Sequence, residues 1–267
     1  MKTLNIAHRG GAGLRPENTL AAFRDAITRG CDGAELDVQL SADGVVVVHH
    51  DFRLNPALTR LKGNWLKGET PRIKDLRFAE MRTFDLGRPD PATEYARLHP
   101  ALAPADGAAI PSLAEVAALP APHTFFLLVE LKSSHNPASA DPIALADAAL
   151  EIMRDQLART IFVGFDWRGL ARVKSRVPDA RCWFTTDKLQ GDARPVLDVI
   201  KAAGGDGWFP AHEDATAEMI AEARKRALQV AAWTVNDPDD MARLIALRLD
   251  AICTDRPDIL QSLEQRG

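Results

Sequence analysis

Gly33-Ala34-Glu35-Leu36-Asp37-Val38-Gln39-Leu40 alternates between polar and apolar side chains. Period two is the signature of a β-strand, so Glu35, Asp37 and Gln39 share one face and Leu36, Val38 and Leu40 share the other. The apolar face suits a packed layer. Carboxylates without partners in such a layer are very costly, so in a parallel barrel the acidic face has to look into the mouth.

The same kind of short run recurs along the chain. Leu4–Ala7, Ala34–Leu40, Phe125–Leu131, Thr160–Phe165, Ala180–Thr185, Gly207–Pro210, Leu228–Val235 and Ala251–Thr254 are rich in β-branched or aromatic residues and alternate with amphipathic segments. The first of these segments has Asn18 or Thr19 as N-cap, Leu20, Phe23 and Ile27 at helical spacing, and Gly30 just past its end. Others fall near 112–119, 141–157, 168–176, 194–203, 215–227, 238–247 and 257–265. Eight strands each followed by a helix predict an α/β fold of the TIM (β/α)8 barrel type, with functional groups at the C-terminal ends of the strands. A doubly wound sheet is the runner-up.

From about 52 to 110 the rhythm stops. This stretch is polar and broken by Asn64-Trp65-Leu66-Lys67-Gly68 and Gly87-Arg88-Pro89-Asp90-Pro91. A loop of that length inside a compact domain is expected to be functional or partly folded, and it reads as an insertion over the barrel mouth. The whole chain, 1–267, reads as one barrel domain carrying it.

With 267 residues, 46% of them hydrophobic, the chain can bury one large core. Its 33 Lys and Arg against 37 Asp and Glu are interspersed, which gives no basic stripe and excludes a nucleic-acid binder. No apolar run approaches the roughly 18 residues needed to span a bilayer, so stable membrane insertion is not expected and a cytoplasmic location is. Cys31, Cys182 and Cys253 have no ligand-like spacing and read as reduced thiols in apolar surroundings.

After the acidic strand come Ser41-Ala42-Asp43-Gly44 and four valines, a hairpin signal. With Asp43 and Gly44 as a two-residue loop, Leu40 faces Val47, Gln39 faces Val48 and Asp37 faces His50, and His49 falls on the other face. A three-residue loop would reverse that choice. His8 follows the first strand at once, and Glu130 and Lys132 end another strand on a common face. Three converging carboxylates, Glu35, Asp37 and Glu130, repel one another, and a hard divalent cation, Mg²⁺ or Ca²⁺, relieves that repulsion through oxygen ligands. Flanking imidazoles titrate near neutral pH and suit acid–base work, while Arg9 and Lys132 supply charge for an anionic group. Together they point to metal-assisted attack on a phosphate ester.

At these residues the chain resembles the glycerophosphodiester phosphodiesterase family, whose barrel is related to phosphatidylinositol-specific phospholipases C. The resemblance runs through His8-Arg9-Gly10, Pro16-Glu17-Asn18-Thr19, Glu35-Leu36-Asp37-Val38, Asp43-Gly44, His50-Asp51, Glu130-Leu131-Lys132, Trp233-Thr234-Val235-Asn236 and Thr254-Asp255-Arg256-Pro257. It implies His8 and His50 as the acid–base pair, Glu35, Asp37 and Glu130 as metal ligands, Arg9 and Lys132 as phosphate contacts, and Trp233 as a wall for the glycerol moiety. The implied substrate is a small-molecule glycerophosphodiester, attacked by water or by its own 2-hydroxyl. A lysophospholipase D-type or other lipid phosphodiesterase activity is the alternative, with Trp65 and Leu66 as candidate contacts for a lipid. Gly164-Phe165 departs from the family's usual Ser-Phe. His99, His123, His135 and His212 read as surface or loop histidines, Asp255 as a cap of the last helix, and Pro16 to Thr19 as structural.

Overall fold

The computed structural model describes residues 2–133 and 139–265; His135 lies outside them. Among the described residues, strands β1 (Leu4–Ala7), β2 (Gly33–Leu40), β3 (Phe126–Leu131), β4 (Thr160–Gly164), β5 (Arg181–Thr186), β6 (Gly207–Pro210), β7 (Gln229–Ala232) and β8 (Ala251–Thr254) pair in parallel in chain order. β8 returns to β1, with Leu4 opposite Ala251, and β1 also pairs β2, which closes a TIM barrel. The doubly wound alternative is excluded by that closure.

Helices α1 (Leu20–Arg29), α2 (Leu113–Ala117), α3 (Pro142–Met153), α4 (Trp167–Arg176), α5 (Arg194–Ala202), α6 (Ala217–Lys225), α7 (Pro238–Ala246) and α8 (Pro257–Glu264) follow the strands in turn. Thr19 is the N-cap of α1, its hydroxyl accepting from the Ala22 amide, and Gly30 ends that helix at φ 76°. Strand alternation sorts the apolar side chains into two layers. Leu36, Val38, Leu127, Val129 and Phe162 face the helices. Ile6, Leu128, Ile161, Val163, Trp183, Phe209, Ala231, Ala251 and Cys253 fill the barrel. Gly207 is needed there, because a Cβ at that position would lie 2.3 Å from the Trp183 ring. All three cysteines are buried free thiols.

The 52–110 segment has structure of its own. Arg60–Leu61, Asn64–Trp65 and Phe84–Asp85 form a small antiparallel sheet, and Phe78–Met81 and Glu94–Leu98 form helical turns. Leu54, Ile73, Met81, Phe84, Leu86 and Ile110 bury a separate apolar cluster with Val47 of the hairpin. Leu66 packs against this cluster and Trp65 lies under the Arg60 guanidinium, so both side chains expected to greet a lipid are engaged within the segment. The segment is tied to the barrel by Ala42 N–H to the Leu76 carbonyl and Ala103 N–H to the Leu14 carbonyl.

Candidate active site

The inward face of β2 carries Glu35, Asp37 and Gln39 to the C-terminal end of the barrel, and register sets Asp37 beside Glu130 of β3. One carboxylate oxygen from each of Glu35, Asp37 and Glu130 falls within 4.8 Å of the others. At that separation each like-charge pair costs roughly 3–4 kcal/mol at an effective dielectric constant of about 20. The surroundings offset this unevenly. Lys132 Nζ lies 2.9 Å from Glu130 and 3.7 Å from Asp37, and Arg9 Nε lies 3.4 Å from Asp37. Asn18 Nδ2 donates to Asp37 Oδ2 at 2.8 Å. Burial alone would raise the Asp37 carboxyl, but the charges of His50, Arg9 and Lys132 hold it well below the usual carboxylate range. Burial works the other way on Lys132, yet Glu130 and Asp37 keep its ammonium firmly protonated.

Glu35 is left over. Its Oε2 accepts from the Arg9 amide at 3.0 Å, while its buried Oε1 has no partner. Burial, then the charges of Asp37 and Glu130, push its carboxyl well above the ordinary range. A proton or a cation is what this oxygen lacks. An oxygen-only donor set with an orphaned buried oxygen fits Mg²⁺ or Ca²⁺.

Two imidazoles stand above this floor, less buried than the carboxylates. His8 Nδ1 is 2.7 Å from Asp255 Oδ1, and Asn236 Nδ2 donates to the other Asp255 oxygen. His50 Nδ1 is 2.7 Å from Asp51 Oδ1, and Asn55 Nδ2 donates to the other Asp51 oxygen. An ionised carboxylate only accepts, so each imidazole carries its proton on Nδ1 and leaves Nε2 free. His8 Nε2 looks toward Glu35 at 3.9 Å. When protonated, His8 brings Asp255 down to about 2 against its burial through its charge and its hydrogen bond, and His50 does the same for Asp51.

Several expectations change here. The hairpin loop has three residues, not two: Ser41 N–H reaches the Val45 carbonyl, and Val38 pairs Val48, Gln39 pairs Val47 and Leu40 pairs Val46. His49, not His50, is therefore level with Asp37, its amide donating to the Asp37 carbonyl. Strand parity does not deliver His50; the strand ends at Val48 and the chain bends. Gln39 fixes that bend, its Nε2 donating to the carbonyls of His49 at 2.7 Å and Asp51 at 2.8 Å. The His49 ring is buried, with Nε2 3.3 Å from the Arg53 carbonyl. Asp255 does not cap the last helix, whose N-cap is Arg256 without a side-chain bond; it holds His8 instead. Asn18 holds Asp37 rather than capping α1. Glu17 Oε1 accepts from Arg9 Nη1 at 2.9 Å.

Trp233 is half-buried at the end of β7, edge-on to Phe165 at 5.1 Å, and Lys132 Nζ lies 5.9 Å from the Phe165 ring centroid. The amide of Gly164, where the family's serine would stand, donates to the Thr185 hydroxyl.

The model of the glycerophosphoryl diester phosphodiesterase family matches residues 8–259. The chain belongs to that family. A glycerophosphodiester phosphodiesterase of Caldanaerobacter subterraneus is 30% identical over 267 residues, the whole of both chains. One from Bacillus altitudinis is 28% identical over 262 residues, covering 95% of this chain and 94% of the relative. Among solved structures, a putative glycerophosphoryl diester phosphodiesterase from Silicibacter pomeroyi superposes with a TM-score of 0.90 at 33% identity, covering 99% of this chain and 94% of its own. An Oleispira antarctica phosphodiesterase in complex with the product sn-glycerol-3-phosphate shares the fold, with a TM-score of 0.78, 23% identity, and coverage of 99% and 97%. As a glycerophosphodiester phosphodiesterase family member matched end to end by named enzymes, the chain is a phosphoric diester hydrolase.

Proposed function

We propose that this family member hydrolyses glycerophosphodiesters to glycerol 3-phosphate and an alcohol, with a divalent cation held by Glu35, Asp37 and Glu130 and with His8 and His50 exchanging the protons. The observation that carries this reading is a buried carboxylate triad with one uncompensated oxygen, flanked by two imidazoles each fixed by its own aspartate. The product named for the Oleispira antarctica relative supports the substrate class.

The cation, when bound, supplies charge that polarises the phosphoryl oxygens. Arg9 and Lys132, already at the triad, offer donors to the same anionic group. One imidazole takes a proton on Nε2 from the attacking hydroxyl as the new P–O bond forms. The other starts as an imidazolium, protonated on both nitrogens, and gives its Nε2 proton to the departing alkoxide as the old P–O bond breaks. Asp51 and Asp255 steady the imidazolium charge at each stage without taking the proton themselves. Trp233 and Phe165 offer apolar faces for the glycerol carbons. We read the 52–110 segment as an insertion over the mouth of a single barrel domain.

Comparing alkyl and p-nitrophenyl diesters with His8→Ala and His50→Ala tests the proton roles. A good leaving group needs no general acid, so one variant is expected to recover most of its rate on the p-nitrophenyl diester and the other to stay inactive. Equal, mild losses for both variants on both substrates would overturn the assignment.

A further inference from the structure

We infer that Tyr95 is a positioning residue for Arg9, acting through Glu17, so that the way the 52–110 segment seats on the barrel sets the aim of the arginine that meets the phosphate. The inference rests on the functional reading above.

Arg9 has a pinned backbone and a contested side chain. Its φ of 51° is the left-handed region, its amide is spent on Glu35, and its carbonyl accepts from the Asn18 amide at 2.9 Å. Only the direction of the guanidinium is left to decide. Nη1 is held by Glu17 Oε1 at 2.9 Å, while Nε faces Asp37 Oδ2 at 3.4 Å without a hydrogen bond. Glu17 therefore keeps the guanidinium from closing on Asp37, where it would take up charge the proposed cation needs. Glu17 is itself buried and reaches its second partner outside the barrel: Oε2 accepts from the Tyr95 hydroxyl at 2.7 Å.

Tyr95 is prepared for this contact. It sits on the helical turn Glu94–Leu98, and its ring stacks on His99 with centroids 4.2 Å apart. Ala103 N–H to the Leu14 carbonyl anchors the following residues to the loop that also carries Glu17. Without the hydroxyl, a buried carboxylate oxygen of Glu17 loses its donor, and the carboxylate has to move to find another. The Tyr95–Glu17–Arg9 chain thus runs from the segment to the floor of the site in two hydrogen bonds.

Tyr95 is the only tyrosine in the sequence, so biosynthetic 3-fluorotyrosine gives a single ¹⁹F resonance. In the Mg²⁺-loaded enzyme that resonance is expected to shift on saturation with glycerol 3-phosphate, as Arg9 turns to the phosphate and Glu17 follows. Tyr95→Phe is expected to raise both KM for glycerophosphocholine and the inhibition constant of glycerol 3-phosphate about tenfold, with a smaller change in kcat. A merely structural tyrosine would lower the melting temperature and leave both constants alone, which would overturn the inference. So would a fluorine resonance unmoved by saturating product, and that readout holds even where the phenylalanine variant fails to fold. If the native enzyme neither turns over diesters nor binds glycerol 3-phosphate, the functional reading itself falls, and this inference with it.

Discussion

Asp37 and Glu130 face Arg9 and Lys132 at 2.9–3.7 Å, whereas Glu35 accepts one hydrogen bond, from the Arg9 amide. Glu35→Gln is therefore expected to stabilise the metal-free protein while abolishing turnover, because it removes the one charge the fold does not offset. The sign follows from a carboxyl raised above its ordinary 4.5. The fold loses stability as pH rises through the interval between that value and the raised one, so the advantage of the variant is absent in acid and grows above it. Urea unfolding across pH checks this. Asp255 has the opposite sign. Held down to about 2, it contributes stability that is full above its ordinary 3.8 and lost as pH falls through about 2. Asp255→Asn should thus be less stable than the native chain at neutral pH, with the gap closing below about pH 4. Its kcat should fall on the order of 10²–10⁴-fold, because the amide no longer dictates the His8 tautomer. The roles of Asp255 and Asn18 were illegible for a physical reason. Each reads locally as a turn or cap residue, and its partner is set by folding; His8 and Asp255 are 247 positions apart.

At the scale of elements, β2 was legible because alternation is a local property, and the facing of Glu35, Asp37 and Gln39 follows from it directly. The hairpin register was not. Asp43-Gly44 fits a two-residue loop, yet Ser41 spends its hydroxyl on Asp43 and on the Val45 amide and lengthens the turn by one. His50 then depends on Gln39, whose side chain ties down the bend after the strand. Gln39→Leu removes those bonds and strands buried carbonyls. It is expected to cut kcat/KM about tenfold or more while leaving cation affinity close to native, since the carboxylates stay on their strands. Calorimetric titration with Mg²⁺ beside steady-state kinetics separates the two. In the barrel interior, Gly207→Ala forces a methyl into the Trp183 ring and is expected to cost about 1–3 kcal/mol in urea unfolding.

The whole molecule was readable as a barrel because eight apolar runs, each followed by an amphipathic segment, leave few ways to close a sheet. The 52–110 segment resisted because its strands are two residues long, too short to show a period, and because its core borrows Val47 from the hairpin. Among the described residues no helix is long and apolar enough to cross a membrane. We propose that the barrel mouth concentrates negative charge for a cation that the reaction uses. Release of glycerol 3-phosphate from glycerophosphocholine and glycerophosphoethanolamine tests this most directly, with EDTA-stripped enzyme before and after Mg²⁺ or Ca²⁺, beside a His50→Ala control. No turnover is expected in the stripped enzyme, recovery with one of the two ions, and none in the variant. Full turnover in the stripped enzyme, or full activity in His50→Ala, would contradict it.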